Sequence, residues 1–172
     1  MGRSGPEGKP FQIPGQLVRE AYRRVKASRG AAGVDGESIA GFESDLRGSL
    51  YKIWNRMSSG AYFPPPVMAV EIPKSGGGTR TLGVPAVAGR VAQTVAAMAL
   101  EARTESIFHA DSYGCRPRRG ALDAVAECRL RCWKKDWVMD LDVRKFFGSV
   151  PRDLMVKAAG ATITTGQKRV LL

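Results

Sequence analysis

Two aspartates stand two residues apart in the stretch VMDLDVRKFFGSV, residues 138–150 of this 172-residue chain. The apolar run predicts a β-strand, and because side chains alternate between the faces of a strand, Asp140 and Asp142 would share one face. Two carboxylates on one face of an apolar strand are costly to bury unless a cation compensates them. A divalent ion such as Mg²⁺, which takes oxygen ligands, is one compensation, and arginine or lysine partners are the other.

A second candidate site is the glycine-rich stretch PKSGGGTR. The flanking runs VMAVEIP and RTLGVP predict the two strands of a hairpin at about residues 66–85, with KSGGGT at its tip. Lys74 and Arg80 flank a tip with almost no side chains, so both cations and several backbone N–H groups can approach one polyanion. This arrangement suits a triphosphate or a nucleic-acid backbone. A solvated loop with two surface cations is the alternative.

The chain is strongly basic, with 27 Lys and Arg against 16 Asp and Glu and a net charge of +11. A basic surface on a folded protein is typical of a nucleic-acid partner. Basic residues in the predicted helix LVREAYRRVKASRG and in the loop SYGCRPRRG suit RNA or single strands, because phosphates are neutralised while bases stack on an aromatic ring. A solvated helix face and a basic loop at a helix start are the alternatives. The candidate nucleic-acid-binding residues are Arg19, Arg23, Arg24, Tyr113 and Arg116.

The sequence indicates neither a membrane protein nor a secreted protein. No stretch approaches the roughly 20 apolar residues that span a bilayer, and the N-terminus lacks the apolar core of a signal peptide. The cysteines Cys115, Cys128 and Cys132 are odd in number and form no CxxC pair. With His109 as the single histidine, they indicate reduced thiols rather than a zinc site. We therefore expect a cytoplasmic protein without membrane contact.

Helical periodicity predicts most of the remaining elements. A first helix covers LVREAYRRVKASRG and ends at Gly30, a second runs over about residues 38–57, and a third over about 86–103. A fourth helix is predicted over Ala121–Cys132 and another from about Pro151. The chain closes on the apolar residues VLL without a helix stop, which predicts a sequence cut before its domain is complete.

Four blocks in one order resemble the bacterial group II intron-encoded reverse transcriptases, also called maturases. The blocks are LVREAYRRVKASRGAAGVDG, YFPPPVMAVEIPKSGGGTRTLGVP, SYGCRPRRGALDAV and WVMDLDVRKFFGSV. The resemblance covers the chain from about Phe11 onward, but only the front half of that family's polymerase. It implies an α+β fold, with reverse-transcriptase fingers followed by the first strand and helix of an incomplete palm. The implied organisation is a flexible tail over 1–14, fingers over 15–132 and a truncated palm over 133–172.

The resemblance implies an RNA-directed DNA polymerase that uses two Mg²⁺ ions to add dNTPs on an RNA template. Asp142, five residues before Phe147, matches the family's palm aspartate, which is both the catalytic residue and a metal ligand. Phe147 matches the ring that gates the ribose 2′-hydroxyl, and Lys74 and Arg80 match the pair that grips the incoming dNTP. The implied partners are an RNA template, group II intron RNA, a DNA primer and a dNTP.

The chain also departs from the family pattern. The second carboxylate block of the family, Tyr-x-Asp-Asp, does not occur in these 172 residues. We therefore expect no polymerase activity from this chain alone. The alternative is a non-catalytic RNA-binding fragment, or a degenerate remnant that retains affinity for intron RNA. The other departures fall at Thr81, Gly89, Cys115, residues 118–120, Gly148 and residues 151–152.

Overall fold

The computed structural model describes residues 12–144 and 146–162, and most of the predicted flexible tail over 1–14 lies outside them. These residues form an α+β architecture of helices and one two-stranded antiparallel sheet, as predicted. They fall into two compact units, the first ending at Leu100 and the second beginning at Glu101. The elements are α1 (Gly15–Ala27), α2 (Ile39–Ser44), α3 (Leu46–Ser59), β1 (Met68–Pro73), β2 (Thr79–Val84), α4 (Val87–Thr104), α5 (Ala121–Cys132), α6 (Phe146–Ser149) and α7 (Arg152–Thr162).

Helix α1 buries the apolar stripe that its period predicts. Val18, Ala21, Tyr22 and Val25 are all buried, because residues at i, i+3, i+4 and i+7 face one side of a helix. The Tyr22 ring stacks on Phe42 of α2, with the two ring centroids 5.6 Å apart. The core of the first unit is completed by Ile53 and Met57 of α3 and by Val87, Val91, Ala92 and Val95 of α4.

The single helix predicted over residues 38–57 is wrong, because α2 and α3 are separate helices that meet at Asp45. Asp45 has φ −127° and ψ 53°, outside the helical region, and its carboxylate accepts a hydrogen bond from the Gly48 N–H at 3.1 Å. An aspartate in this position satisfies an amide at the start of the new helix, so the helix break is compensated locally.

The loop between α1 and α2 passes very close to the start of α4. A Cβ atom placed on Gly33 would lie 2.5 Å from the Cα atom of Ala86, so only glycine fits without a shift of the backbone. The Arg90 guanidinium of α4 donates to the Ala31 carbonyl at 2.6 Å and holds the same loop. These contacts connect the α1 end of the first unit to its last helix.

Strands β1 and β2 form the predicted hairpin, paired from Met68 opposite Val84 to Pro73 opposite Thr79. At its tip, Gly77 and Gly78 have φ of 89° and 78°, in the left-handed region that glycine adopts without steric cost. A side-chain-poor tip is therefore present between the two strands.

In the second unit, α5 has the predicted bounds, Ala121–Cys132. The Asp123 carboxylate accepts the Gly120 N–H at 2.7 Å and so caps its first turn. Helix α7 follows where a helix was predicted from Pro151. None of the helices in the described ranges combines the length and apolarity that crossing a bilayer requires.

The strand predicted through Asp140 and Asp142 is absent. Residues 137–143 belong to no strand, and the sheet among the described residues contains only β1 and β2. Trp137 is 91% exposed, and Met139 and Leu141 are exposed as well. Alternating apolar residues favour a strand only where a neighbouring strand supplies hydrogen bonds and a packing surface. The part of the fold prediction that begins a palm with this strand is therefore not seen, while the helix predicted after it is.

Tyr22 makes the stability of the first unit sensitive to alkaline pH. Burial, with the neighbouring Glu43 carboxylate, raises the pKa of Tyr22 to about 12. Because an unfolded tyrosine ionises near pH 10, the stabilisation by the neutral phenol is fully present below about pH 10 and is lost as the pH rises towards 12. We expect Tyr22→Phe, which keeps the ring, to lose less free energy of unfolding than the parent between about pH 9 and about pH 11 in urea titrations.

The matched control is Tyr51→Phe, which removes an exposed hydroxyl by the same substitution. If Tyr22→Phe loses as much stability over this range as the parent and the control, the Tyr22 phenol is not the group responsible.

Candidate functional site

Asp140 and Asp142 lie on the exposed segment between α5 and α6, in the second unit. Both carboxylates are open to solvent, so each is available as an oxygen ligand. The described residues contain no group of three or more His, Cys, Asp or Glu side chains that could hold a metal ion. They therefore do not fit a complete Mg²⁺ site, and Asp142 fits as one ligand at most. No catalytic step through the ion follows from these residues.

The remaining predicted nucleotide contacts are divided between the units. Phe147 belongs to α6, but its side chain lies outside the described part of the structure. Lys74 follows the end of β1, and Arg80 lies in β2 opposite Ile72, both exposed and both in the first unit. Lys74 also closes the hairpin tip, because its N–H donates to the Gly78 carbonyl at 3.0 Å. The hairpin thus presents two exposed cations at the base of its glycine tip, and their contact with a polyanion stays a prediction.

Thr81, one of the departures from the family pattern, has a local role in the hairpin. It pairs with Glu71 across the two strands, and its hydroxyl donates to the Glu71 carboxylate. This hydrogen bond lowers the pKa of Glu71. The Glu71 carboxylate is therefore held charged by its own strand partner.

The basic face of α1 carries Arg19, Arg23 and Arg24, all exposed. Arg23 forms an ion pair with Glu20 at 3.1 Å, one turn earlier on the same helix. Since surface pairs of this kind contribute little to stability, the guanidinium can exchange Glu20 for a phosphate at small cost. The predicted basic surface is thus present on a helix whose opposite face is buried in the core.

A groove of about 1250 Å³ lies between α1 and α3, and sequence reasoning missed it. Tyr51 and Trp54 of α3 line it, with ring centroids 5.7 Å apart. The Trp54 indole N–H donates to the Ile13 carbonyl at 2.7 Å, which fixes the Trp54 ring. Tyr51 is 60% exposed. The available signal was an aromatic pair at i, i+3 on a helix whose first turn carries an arginine. The cations that line the groove are Arg19, Arg23, Lys26 and Arg47.

Arg116 faces into its own loop. It is 9% exposed, and its guanidinium donates to the Glu105 carboxylate at 2.7 and 3.2 Å. It also donates to the carbonyls of His109 and Ser112, both at 2.8 Å, and lies over the Phe108 ring. These contacts are those of a residue that shapes the loop from within. The predicted contact of Arg116 with RNA stays a prediction that its burial does not favour.

Tyr113 and its other arginine neighbours lie nearer to solvent. The Arg119 guanidinium stands 5.4 Å from the centroid of the Tyr113 ring and donates to the Ala110 carbonyl. Arg118 is exposed in the same loop, with φ 57°. The positive charge that this loop presents outward therefore comes from its second and third arginines rather than from Arg116.

The same loop is connected to α5 by one arginine. Arg131 donates two hydrogen bonds to the Asp111 carboxylate, at 2.6 and 2.7 Å, and one to Glu127 at 2.6 Å. The hydrogen bonds from Arg131 lower the pKa of Asp111. Bidentate pairing of this kind fixes orientation as well as charge. The loop thus has an anchor on the last turn of α5.

Residues 72–170 match the family described as Reverse transcriptase (RNA-dependent DNA polymerase). The match covers more than half of the chain, and the chain belongs to the reverse transcriptase family.

Three named proteins are similar to this chain over most of its length. Protein YkfC of Escherichia coli strain K12 is 35% identical over 164 residues, which are 91% of this chain and 43% of that protein. Two proteins of Saccharomyces cerevisiae, the putative COX1/OXI3 intron 2 and intron 1 proteins, are 26% and 28% identical over 86% and 82% of this chain and 17% of each relative. The chain spans less than half the length of each relative. The predicted resemblance to intron-encoded reverse transcriptases is confirmed.

The contacts of Arg116 predict a loss of stability on its removal. In Arg116→Ala the Glu105 carboxylate and two carbonyls lose their donor, and we expect the loop to be destabilised by about 2 kcal/mol. Hydrogen–deuterium exchange of the amides in residues 105–119 is the measurement, since faster exchange reports local opening.

Arg118→Ala is the matched control, because it removes an exposed arginine from the same loop and should change stability by less than about 0.5 kcal/mol. Equal protection in the two variants would show that Arg116 does not organise the loop.

Proposed function

We propose that this chain is the amino-terminal part of a group II intron reverse transcriptase, which adds deoxynucleotides to a DNA primer on an RNA template. The observation that carries the proposal is the family match over residues 72–170, which contains Lys74, Arg80, Asp142 and Phe147. All four candidates for catalysis and dNTP binding thus lie inside the segment that defines the family. The intron proteins among the relatives support the group II intron assignment.

Each of the four residues has a role that its chemistry suits. Asp142 would hold Mg²⁺ as one carboxylate ligand, and the ion would supply positive charge at the primer hydroxyl and the triphosphate. Lys74 and Arg80 bind the triphosphate of the incoming dNTP from the base of the hairpin tip. There the glycines place no side chains over the backbone N–H groups. Phe147 excludes a ribose 2′-hydroxyl, which gives preference for a dNTP over a ribonucleotide.

The 172 residues alone do not catalyse polymerisation in this proposal. A two-ion site needs several carboxylates, and neither a Tyr-x-Asp-Asp block in the sequence nor a metal-binding cluster in the described residues supplies them. Activity therefore requires a polypeptide that carries the second carboxylate block.

Complementation tests the catalytic assignment. The chain is mixed with the carboxy-terminal half of a group II intron reverse transcriptase, and primer extension on an RNA template is measured with Mg²⁺ present. We expect Asp142→Asn to reduce extension by at least about 100-fold, because the ligand charge is lost. Asp140→Asn is the matched control and should retain activity within a few fold. Full activity of Asp142→Asn would show that the wrong carboxylate was assigned, and extension by the chain alone would contradict its predicted inactivity.

A second function, RNA binding without chemistry, is favoured by the groove between α1 and α3. Among the described residues that line it, four are cations, of which Arg23 and Lys26 are paired with Glu20 and Glu43, and the acidic residue, Asp45, caps α3. The exposed Tyr51 ring, braced by Trp54, offers a rigid surface on which a base can stack. Phosphates on either side of that base would meet Arg19 and Arg47. We therefore propose this groove as a contact for single-stranded regions of the RNA.

Binding to a fluorescein-labelled single-stranded RNA, followed by anisotropy, tests the groove. Tyr51→Ala should weaken binding about tenfold, because one stacked base is lost. Tyr51→Phe should bind as tightly as the parent. Phe63→Ala removes an aromatic ring that is 87% exposed and does not line the groove, so its affinity should not change.

The salt dependence of the same measurement reports phosphate contacts. Affinity should fall steeply between low and moderate salt, with a similar slope in the parent and in Tyr51→Ala, since the cations are unchanged. A flat response would count against phosphate binding by this chain. Tight, salt-dependent binding that is unchanged in Tyr51→Ala would support RNA binding by the chain but exclude base stacking on Tyr51.

A further inference from the structure

Cys128 and Cys132 lie four residues apart on α5, with their sulfur atoms 3.5 Å apart. Cys128 is exposed and Cys132 partly buried, and α5 has no buried residue among its twelve. Two thiols so close on an open helix face have no part in the polymerase function proposed above. We propose that they form a redox site, a dithiol that closes to a reversible intrahelical disulfide on exchange with a small-molecule disulfide.

The geometry of the helix permits the bond but strains it. Residues four apart in an α-helix have Cα atoms about 6 Å apart, inside the roughly 4.4–6.8 Å that disulfides span. Their Cβ atoms, however, lie about 5–6 Å apart, whereas a disulfide needs about 3.5–4.5 Å. The backbone must therefore tighten by about 1 Å to close the bond.

The position of the pair in α5 makes that adjustment feasible. Cys132 is the last residue of the helix, and its C-cap Trp133 follows directly. Terminal turns are bound by fewer backbone hydrogen bonds than helix interiors, so a small shift of Cys132 there breaks few of them. The shift must keep the hydrogen bonds from Arg131 to Asp111. Strain left in the bond makes it easier to reduce, which suits a reversible site rather than a permanent structural link.

The exchange proceeds in two steps with a small disulfide such as oxidised glutathione as the oxidant. The Cys128 thiolate attacks one sulfur of glutathione disulfide, forming a mixed disulfide and releasing one glutathione thiolate. The Cys132 thiolate then attacks the Cys128 sulfur, closing the ring and releasing the second glutathione. Two cysteine thiols are oxidised, one glutathione disulfide is reduced to two thiols, and the two cysteine protons pass to solvent or to the released thiolates.

The order of attack follows from accessibility. Cys128 is the more exposed thiol and meets the oxidant first, while Cys132 lies within reach of the mixed disulfide. The hydrogen bond with Cys128 raises the pKa of the Cys132 thiol, which keeps Cys132 protonated longer as pH rises. Both features make Cys128 the entry point and Cys132 the resolving thiol.

The test exposes the folded 172-residue chain to glutathione buffers from fully reduced to fully oxidised, followed by alkylation of free thiols and intact-mass analysis. We expect the number of alkylated thiols to fall from three to one over the series and to return to three after dithiothreitol. Trypsin cuts after Arg129 and Arg131, so the disulfide should appear as the peptide 120–129 linked to the peptide 132–134.

Three variants separate this pair from other thiol chemistry. Cys115→Ser should retain the linked peptides, because Cys115 takes no part. Cys132→Ser should accumulate the glutathione adduct on Cys128, since the resolving thiol is absent. Cys128→Ser should form much less adduct at Cys132.

Far-UV circular dichroism verifies that each variant folds before oxidation. A disulfide to Cys115, dimers linked through Cys128 or Cys132, or three alkylated thiols across the whole series would each overturn the proposal. Linked peptides in the parent and in Cys115→Ser that disappear on reduction would support it.

Discussion

The passage of the backbone at Gly33 over Ala86 is the constraint on which the first unit depends. A side chain at this position would bring its Cβ atom to 2.5 Å from the Cα atom of Ala86, well inside van der Waals contact. The close approach allows Arg90 to reach the Ala31 carbonyl. It also brings the start of α4, with Val87 and Val91, into the core that α1 enters through its buried stripe. The outward orientation of the basic face of α1 follows from that packing.

Elements defined by local chemistry were predictable from sequence. The stripe of α1, the glycine tip of the hairpin and the extent of α5 each depend on residues within a few positions of one another. The break at Asp45 was missed because a carboxylate inside an apolar period is compatible with both a continuous helix and a new cap. The strand predicted over residues 137–143 was wrong for a different reason, since strands depend on partners that a local pattern does not specify.

The residues of the candidate site also differ in how far the sequence alone could predict them. Residue type and spacing made Asp140, Asp142, Lys74 and Arg80 candidates, and the resemblance to the family selected Asp142 from the two aspartates. The family match covers the segment that contains them. The burial of Arg116 was not predictable, because its acceptors come from residues four to eleven positions earlier in an irregular loop. The groove at Tyr51 was missed because it exists only where α3 lies beside α1. Long-range packing decides which of several equivalent arginines faces the solvent.

Folding of the exposed segment that carries Asp140 and Asp142 would be coupled to the binding of a partner strand. Its backbone amides and carbonyls are not paired in the sheet of the described residues, and Trp137, Met139 and Leu141 are exposed. Any polypeptide strand that paired with it would supply the hydrogen bonds and bury the apolar side chains in one event. By mass action, the order of this segment would then rise with the concentration of that partner. The free energy of ordering this segment would therefore depend on its affinity for the partner and not on the isolated chain alone.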